Sequence, residues 1–236
     1  MKILEKIKSN PVDGVKIAFL GDSVTYGAFE LYRKEDGGIG GIDDPENGYA
    51  SCFMGMLKYL FPSVAFHSVN AGISGDHARN GAKRVENDVA RHKPDLTVVC
   101  YGLNDCGDKV IYAERYVNAL AEIFDCLRNA GSEVIFMTPN MMNTEISPTL
   151  LAGEDMENIA KGTMQRQVSG VFDAHIERAK EICREKNVPV CDCYAIWKNL
   201  AACGVDTTEL LCNRINHPSR EMHKVFAYEL IRTIFS

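Results

Sequence analysis

An alternation of short apolar runs and amphipathic stretches, repeated about five times, constrains the fold more than any other feature. The apolar runs are Val15–Leu20, Val64–Val69, Leu96–Tyr101, Val134–Met137 and Val188–Asp192. They are short and partly β-branched, which suits strands. Between them, Phe53, Met56, Leu57 and Leu60 recur at helical spacing, as do Val117, Leu120, Ala121, Phe124 and Leu127. Strand–helix alternation calls for a parallel sheet with helices on both faces and right-handed crossovers. The expected class is α/β, a three-layer α/β/α sandwich around a parallel sheet of about five strands.

The 236 residues are read as one domain, 1–236, with insertions near 28–47 and 141–170. The first insertion contains Gly37-Gly38-Ile39-Gly40-Gly41 and is expected to be a loop, because so many glycines hold neither helix nor strand. The second is broken by Pro148, Gly153 and Gly162 and is expected to contain some helix. Pro189 makes the last strand an edge or a strand start. Ser219 is placed to cap a final helix that buries Met222, Phe226, Leu230 and Ile234.

A net charge of −6 provides no basic footprint for nucleic acid. No apolar run is long enough to span a membrane. Charges at Lys2, Glu5, Lys6 and Lys8 occupy the place where a leader needs apolar residues, so the expected compartment is the cytoplasm. The nine cysteines, most of them in apolar runs, are expected to be reduced and buried. No His/Cys cluster has metal spacing, so neither metal nor cofactor is expected.

Three strands end in motifs that carry chemistry: Gly21-Asp22-Ser23, Asn70-Ala71-Gly72 and Gly102-Leu103-Asn104-Asp105. In a parallel sheet all three lie on one carboxyl edge, where ligands bind. His217-Pro218, before the last helix, can reach the same edge. Ser23 alone could simply cap a helix. Taken with the others, it reads as a nucleophile that needs a base, and His217 is the best candidate. Attack on a carbonyl creates an oxyanion. The Gly72 N–H, the Asn104 amide and the Ser23 N–H can serve as its donors. Asp22 and Asp105 read as braces for their turns.

With these motifs in this order, the chain resembles the SGNH hydrolases, the GDSL-type esterases and lipases. The resemblance implies a flavodoxin-like sandwich and cofactor-free ester hydrolysis. It also implies Ser23 as nucleophile, His217 as base, and Gly72 and Asn104 as oxyanion donors. One position departs from the pattern. The family usually has Asp three residues before the His, and here that residue is Arg214. The favoured reading is a Ser–His dyad oriented by a backbone carbonyl. The competing ones are an acid from elsewhere, such as Asp192, and loss of activity; Asp192 reads first as a helix cap.

The expected function is a serine esterase that removes a short acyl or acetyl group, with carbohydrate esters among its substrates, through an acyl-Ser23 intermediate. Two alternatives stay open: a carbohydrate- or ligand-binding protein that keeps the fold without turnover, and a lysophospholipase or thioesterase. The sequence leaves the oligomeric state open. His175 reads as a solvated helix residue, and His223 as a surface or packing residue. Arg33, Lys34, Arg166 and Gln167 read as ordinary solvated surface, and Trp197 as core.

Overall fold

Five of the chain's strands form one parallel sheet in the computed structural model, which describes residues 1–107 and 110–236, with Val110 as backbone only. In chain order the elements are α1 (Lys2–Ser9), β1 (Val15–Gly21), α2 (Ser23–Tyr26), β2 (Ala28–Arg33), β3 (Ile39–Asp43), α3 (Tyr49–Leu60), β4 (Phe66–Gly72) and α4 (Ala78–Asp88). They continue as β5 (Leu96–Cys100), α5 (Val110–Asn129), β6 (Glu133–Met137), α6 (Glu154–Val168), α7 (Val171–Glu185), β7 (Val190–Cys191), α8 (Cys193–Ala202) and α9 (Arg220–Phe235).

The sheet order is β4-β1-β5-β6-β7, which makes the chain an α/β three-layer sandwich of flavodoxin-like order. β1 is the switch point, with β4 on one side and β5 on the other. Register sets Gly21 beside both Gly72 and Cys100. The ends of these three strands therefore lie side by side. Alternate residues of β1 enter opposite layers. Ile17 and Phe19 pack with Tyr49, Phe53, Trp197 and Phe226. Ala18 and Leu20 pack with Leu120, Ile123 and Phe124 from α5. β7 is an edge strand, as Pro189 requires.

The first insertion is not a loop. β2 and β3 form an antiparallel hairpin that pairs Arg33 with Ile39, Tyr32 with Gly40 and Leu31 with Gly41. Its glycines have positional reasons. Gly37 takes φ +81° in the turn. A Cβ on Gly40 would come within 2.5 Å of the Tyr32 ring, so glycine here admits a cross-strand aromatic. Arg33 ties the hairpin to the second insertion through the Ala152 carbonyl (3.0 and 2.8 Å) and an ion pair with Asp155. A small separate cluster, Met156, Ala160 and Ile215 with Leu31 and Ile39, joins both insertions to the His217 loop.

Two further expectations change, for His175 and Gln167, and α1 is an added helix. α1 was not legible as a helix. It buries Ile3 and Ile7, and the Glu133 carboxylate accepts the N–H of Lys2 (3.0 Å) and of Ile3 (2.6 Å) at its start. His175 is buried, not solvated, and stacks on Tyr116 at 6.1 Å. Gln167 is also buried; it accepts from the Met142 N–H (2.9 Å) and donates to the Tyr194 hydroxyl (2.7 Å). No disulfide joins the cysteines among the described residues; Cys100, Cys106, Cys183, Cys191 and Cys193 are buried as expected, but Cys52, Cys126 and Cys212 are half-buried and Cys203 is exposed. Among the described residues no helix is long and apolar enough to cross a membrane.

Candidate active site

β1 ends at Gly21, and a Cβ there would lie 2.1 Å from Thr25 Oγ1 and 2.4 Å from the Cys100 carbonyl. Only glycine lets the chain turn this tightly into α2. Asp22 caps α2, its Oδ1 accepting the Val24 N–H at 3.0 Å. Burial raises the Asp22 carboxyl to a pKa of about 7. Ser23 follows as the first helical residue and is only 5% exposed.

His217 sits in a loop built by Asn213, whose Oδ1 accepts the backbone N–H groups of Ile215 (3.0 Å), Asn216 (2.9 Å) and His217 (2.9 Å). The imidazole Nε2 lies 3.0 Å from Ser23 Oγ. Its Nδ1 lies 2.8 Å from the carbonyl oxygen of Phe29. A carbonyl can only accept, so Nδ1 carries the proton and Nε2 presents its lone pair to the serine hydroxyl. Burial lowers the His217 pKa below its ordinary value, partly offset by the Phe29 carbonyl.

The acids weighed as orienting groups serve other roles. Asp192 caps α8 through the Ala195 N–H (3.1 Å) and pairs with Lys180 (2.7 Å). Glu209 pairs with Arg214 at 3.0 Å. Arg214, at the position where an acid is usual, braces its own loop by donating to the Glu209 (2.6 Å) and Leu211 (2.9 Å) carbonyls. The outer nitrogen of the imidazole therefore meets a backbone carbonyl, as the dyad reading requires.

The Phe29 carbonyl is itself held. The Arg220 guanidinium lies over the Phe29 ring, 4.3 Å from its centroid. The same guanidinium pairs with Glu30 (2.5 Å) and Asp44 (2.7 Å), one carboxylate just after Phe29 and one just beyond the hairpin. Hydrogen bonding to Arg220 holds the Glu30 carboxyl below its usual range. The His223 ring also packs on Phe29, its centroid 4.7 Å away. His223 is fully buried, its Nδ1 accepts the Tyr49 N–H at 2.9 Å, and burial lowers its pKa to about 3. It is a neutral packing residue that caps α3. Nothing in the sequence pointed to Phe29, since any residue supplies a carbonyl.

The remaining motifs reach the same edge. Asn104 lines a cleft of about 480 Å³ with Ser23 and His217, and its Nδ2 donates to the Asp76 carbonyl at 2.9 Å. The hairpin and α6 close the cleft through Leu31, Ile39, Met156 and Ile159. The Gly72 N–H donates to Asn70 Oδ1 at 2.9 Å. A Cβ on Gly72 would lie 2.2 Å from the Tyr26 nitrogen, so close packing of β4 on α2 also demands glycine here. Asp105 accepts the Ala78 N–H at 2.9 Å and braces its turn. Among the described residues no group of acids, histidines and cysteines is placed to hold a metal ion.

Comparisons with known proteins find relatives along most of the chain. Residues 19–225 match the model of the GDSL-like lipase/acylhydrolase family. An acetylxylan esterase of Geobacillus stearothermophilus is 25% identical over 230 residues, covering 94% of each chain. Its crystal structure superposes with a TM-score of 0.67 at 24% identity, again over 94% of each chain. A further structure of it is of a catalytic mutant in which an aspartate is replaced by alanine. A two-domain esterase active on acetylated mannans, crystallised with mannopentaose, superposes at 0.69 with 20% identity; 99% of this chain is covered, but only 52% of that one. The chain thus spans about half the length of that two-domain relative. The family match covers most of the chain and both residues of the Ser23–His217 contact, and the chain belongs to the GDSL-like lipase/acylhydrolase family, as a carboxylic ester hydrolase.

Proposed function

We propose that this enzyme removes acetyl groups from carbohydrates through an acyl-Ser23 intermediate, with a Ser23–His217 dyad as its catalytic pair. The observation that carries the reading is the 3.0 Å contact between Ser23 Oγ and His217 Nε2, with Nδ1 engaged by a carbonyl. His217 Nε2 takes the hydroxyl proton as Oγ attacks the ester carbonyl carbon. The oxyanion is received by the Ser23 N–H, the Gly72 N–H and Asn104 Nδ2. For Gly72 this means sharing its hydrogen with Asn70 or releasing that contact. Collapse leaves acetyl on Ser23, and the imidazolium returns its proton to the departing alcohol. Water, deprotonated by the same nitrogen, then releases acetate and free Ser23.

The carbohydrate assignment rests on the acetylxylan and acetylated-mannan esterases the chain resembles. It also fits a cleft lined by both polar and apolar residues. The test is hydrolysis of p-nitrophenyl acetate and acetylated xylo-oligosaccharides by the wild type, Ser23→Ala and His217→Ala. Each variant is expected to lose on the order of a thousandfold or more in kcat. Hydrolysis that survives both substitutions removes the dyad from the mechanism.

A further inference from the structure

A second cleft, of about 500 Å³, adjoins the first through Asn104. Three helices deliver a guanidinium to it: Arg79 from α4, Arg115 from α5 and Arg166 from α6. Most arginines of the chain are hydrogen-bonded or ion-paired. Among the described residues only four, Arg79, Arg115, Arg166 and Arg184, have no side-chain partner, and three of these four line this cleft. Unpaired guanidiniums gathered in one concavity repel one another and present several donors to whatever enters. They do so in a protein whose net charge is −6. His77 and Asn80 add polar groups to the lining. Among the described lining residues the acid is Asp105, whose Oδ1 accepts the Ala78 N–H, whose Oδ2 is buried, and whose carboxyl is pushed by burial to a pKa of about 7. Planar guanidiniums match carboxylates in geometry as well as charge.

The geometry points to a carboxylate-binding subsite next to the ester site, selecting substrates that carry an acid beside the scissile acyl group. It rests on the esterase reading for the meaning of its position at Asn104, and on the arginines alone for its ligand. The acid could belong to the sugar, as in an acetylated uronic acid, or to the acyl group, as in a hemisuccinate. Both offer the same carboxylate to the same guanidiniums.

The test compares kcat/KM for acetylated methyl glucuronoside over acetylated methyl glucoside, and for p-nitrophenyl hemisuccinate over p-nitrophenyl acetate. At least one acidic ester is expected to be preferred about tenfold or more at low ionic strength, and the pair that shows it locates the acid on sugar or acyl side. The triple variant Arg79→Gln/Arg115→Gln/Arg166→Gln should bring that ratio to about one, and 0.5 M salt should shrink it in the wild type. Among the described residues these side chains have no partners to lose, so the fold should tolerate the change. Calorimetric titration of the Ser23→Ala protein with glucuronate, succinate and glucose reads the subsite without turnover. Either acid should bind more tightly than glucose, and the triple arginine change in that background should abolish the difference. Equal handling of acidic and neutral ligands in both assays overturns the subsite while leaving the esterase reading standing. Absent hydrolysis of every ester, with acid binding retained, overturns the esterase reading and keeps the subsite.

Discussion

The base role proposed for His217 needs a neutral imidazole, and its burial favours that form. Burial disfavours the imidazolium, and the Phe29 carbonyl, a dipole and not a full charge, recovers only part of that loss. The expected consequence is an imidazole that titrates below its ordinary 6.5. Activity should then persist into mildly acidic solution and fall only as pH drops through that lower value. An NMR titration of the His217 ring reads this directly; titration at or above 6.5 contradicts it. Gly72 makes a separate claim. Its missing side chain admits the backbone of Tyr26, so Gly72→Ala must push β4 and α2 apart. Because the clash is with backbone, no rotamer relieves it, and about 1–3 kcal/mol of stability should be lost. Urea unfolding tests this, and an unchanged midpoint would show that the contact is not tight in solution.

At the scale of elements, the hairpin stands in for the missing acid in the proposed dyad. It supplies the carbonyl, and α9 fixes the carbonyl through Arg220, which grips Glu30 and Asp44 while covering Phe29. In the proposed mechanism Arg220 is a positioning residue: it holds Glu30, Asp44 and Phe29 and is not among the described residues that line the Ser23–His217 cleft. Arg220→Gln is expected to lower kcat about tenfold to a hundredfold with a smaller change in KM, since small displacements of a catalytic group are costly. Arg220→Lys should recover part of the loss, because it keeps the charge but not the planar fork. A KM effect alone would place Arg220 in substrate binding instead. This hairpin was hidden in the sequence for a physical reason. Its glycines serve a turn at Gly37 and a ring contact at Gly40, and composition alone reads such glycines as loop.

Across the whole molecule, the parallel sheet accounts for what could be read and what could not. Strand polarity brings Ser23, Gly72 and Asn104 to one edge, so their grouping was legible from three strand ends. His217 was legible as an imidazole beside a loop and a capped helix. The Phe29 carbonyl was not, because a backbone atom leaves no mark on residue identity. Nor were the burial of His175 and His223 or the docking of α1, which depend on neighbours distant in sequence. The same topology places the arginine-lined cleft beside the ester site, from three helices that separate strands of the sheet. The central claim, that hydrolysis passes through Ser23 activated by His217, is tested most directly by mass spectrometry of enzyme quenched during turnover of a slowly deacylated ester. A single acyl group on the peptide containing Ser23, present in the wild type and absent from Ser23→Ala, is the predicted result. An acyl group on another residue, or none in an enzyme that is turning over with slow deacylation, would contradict it.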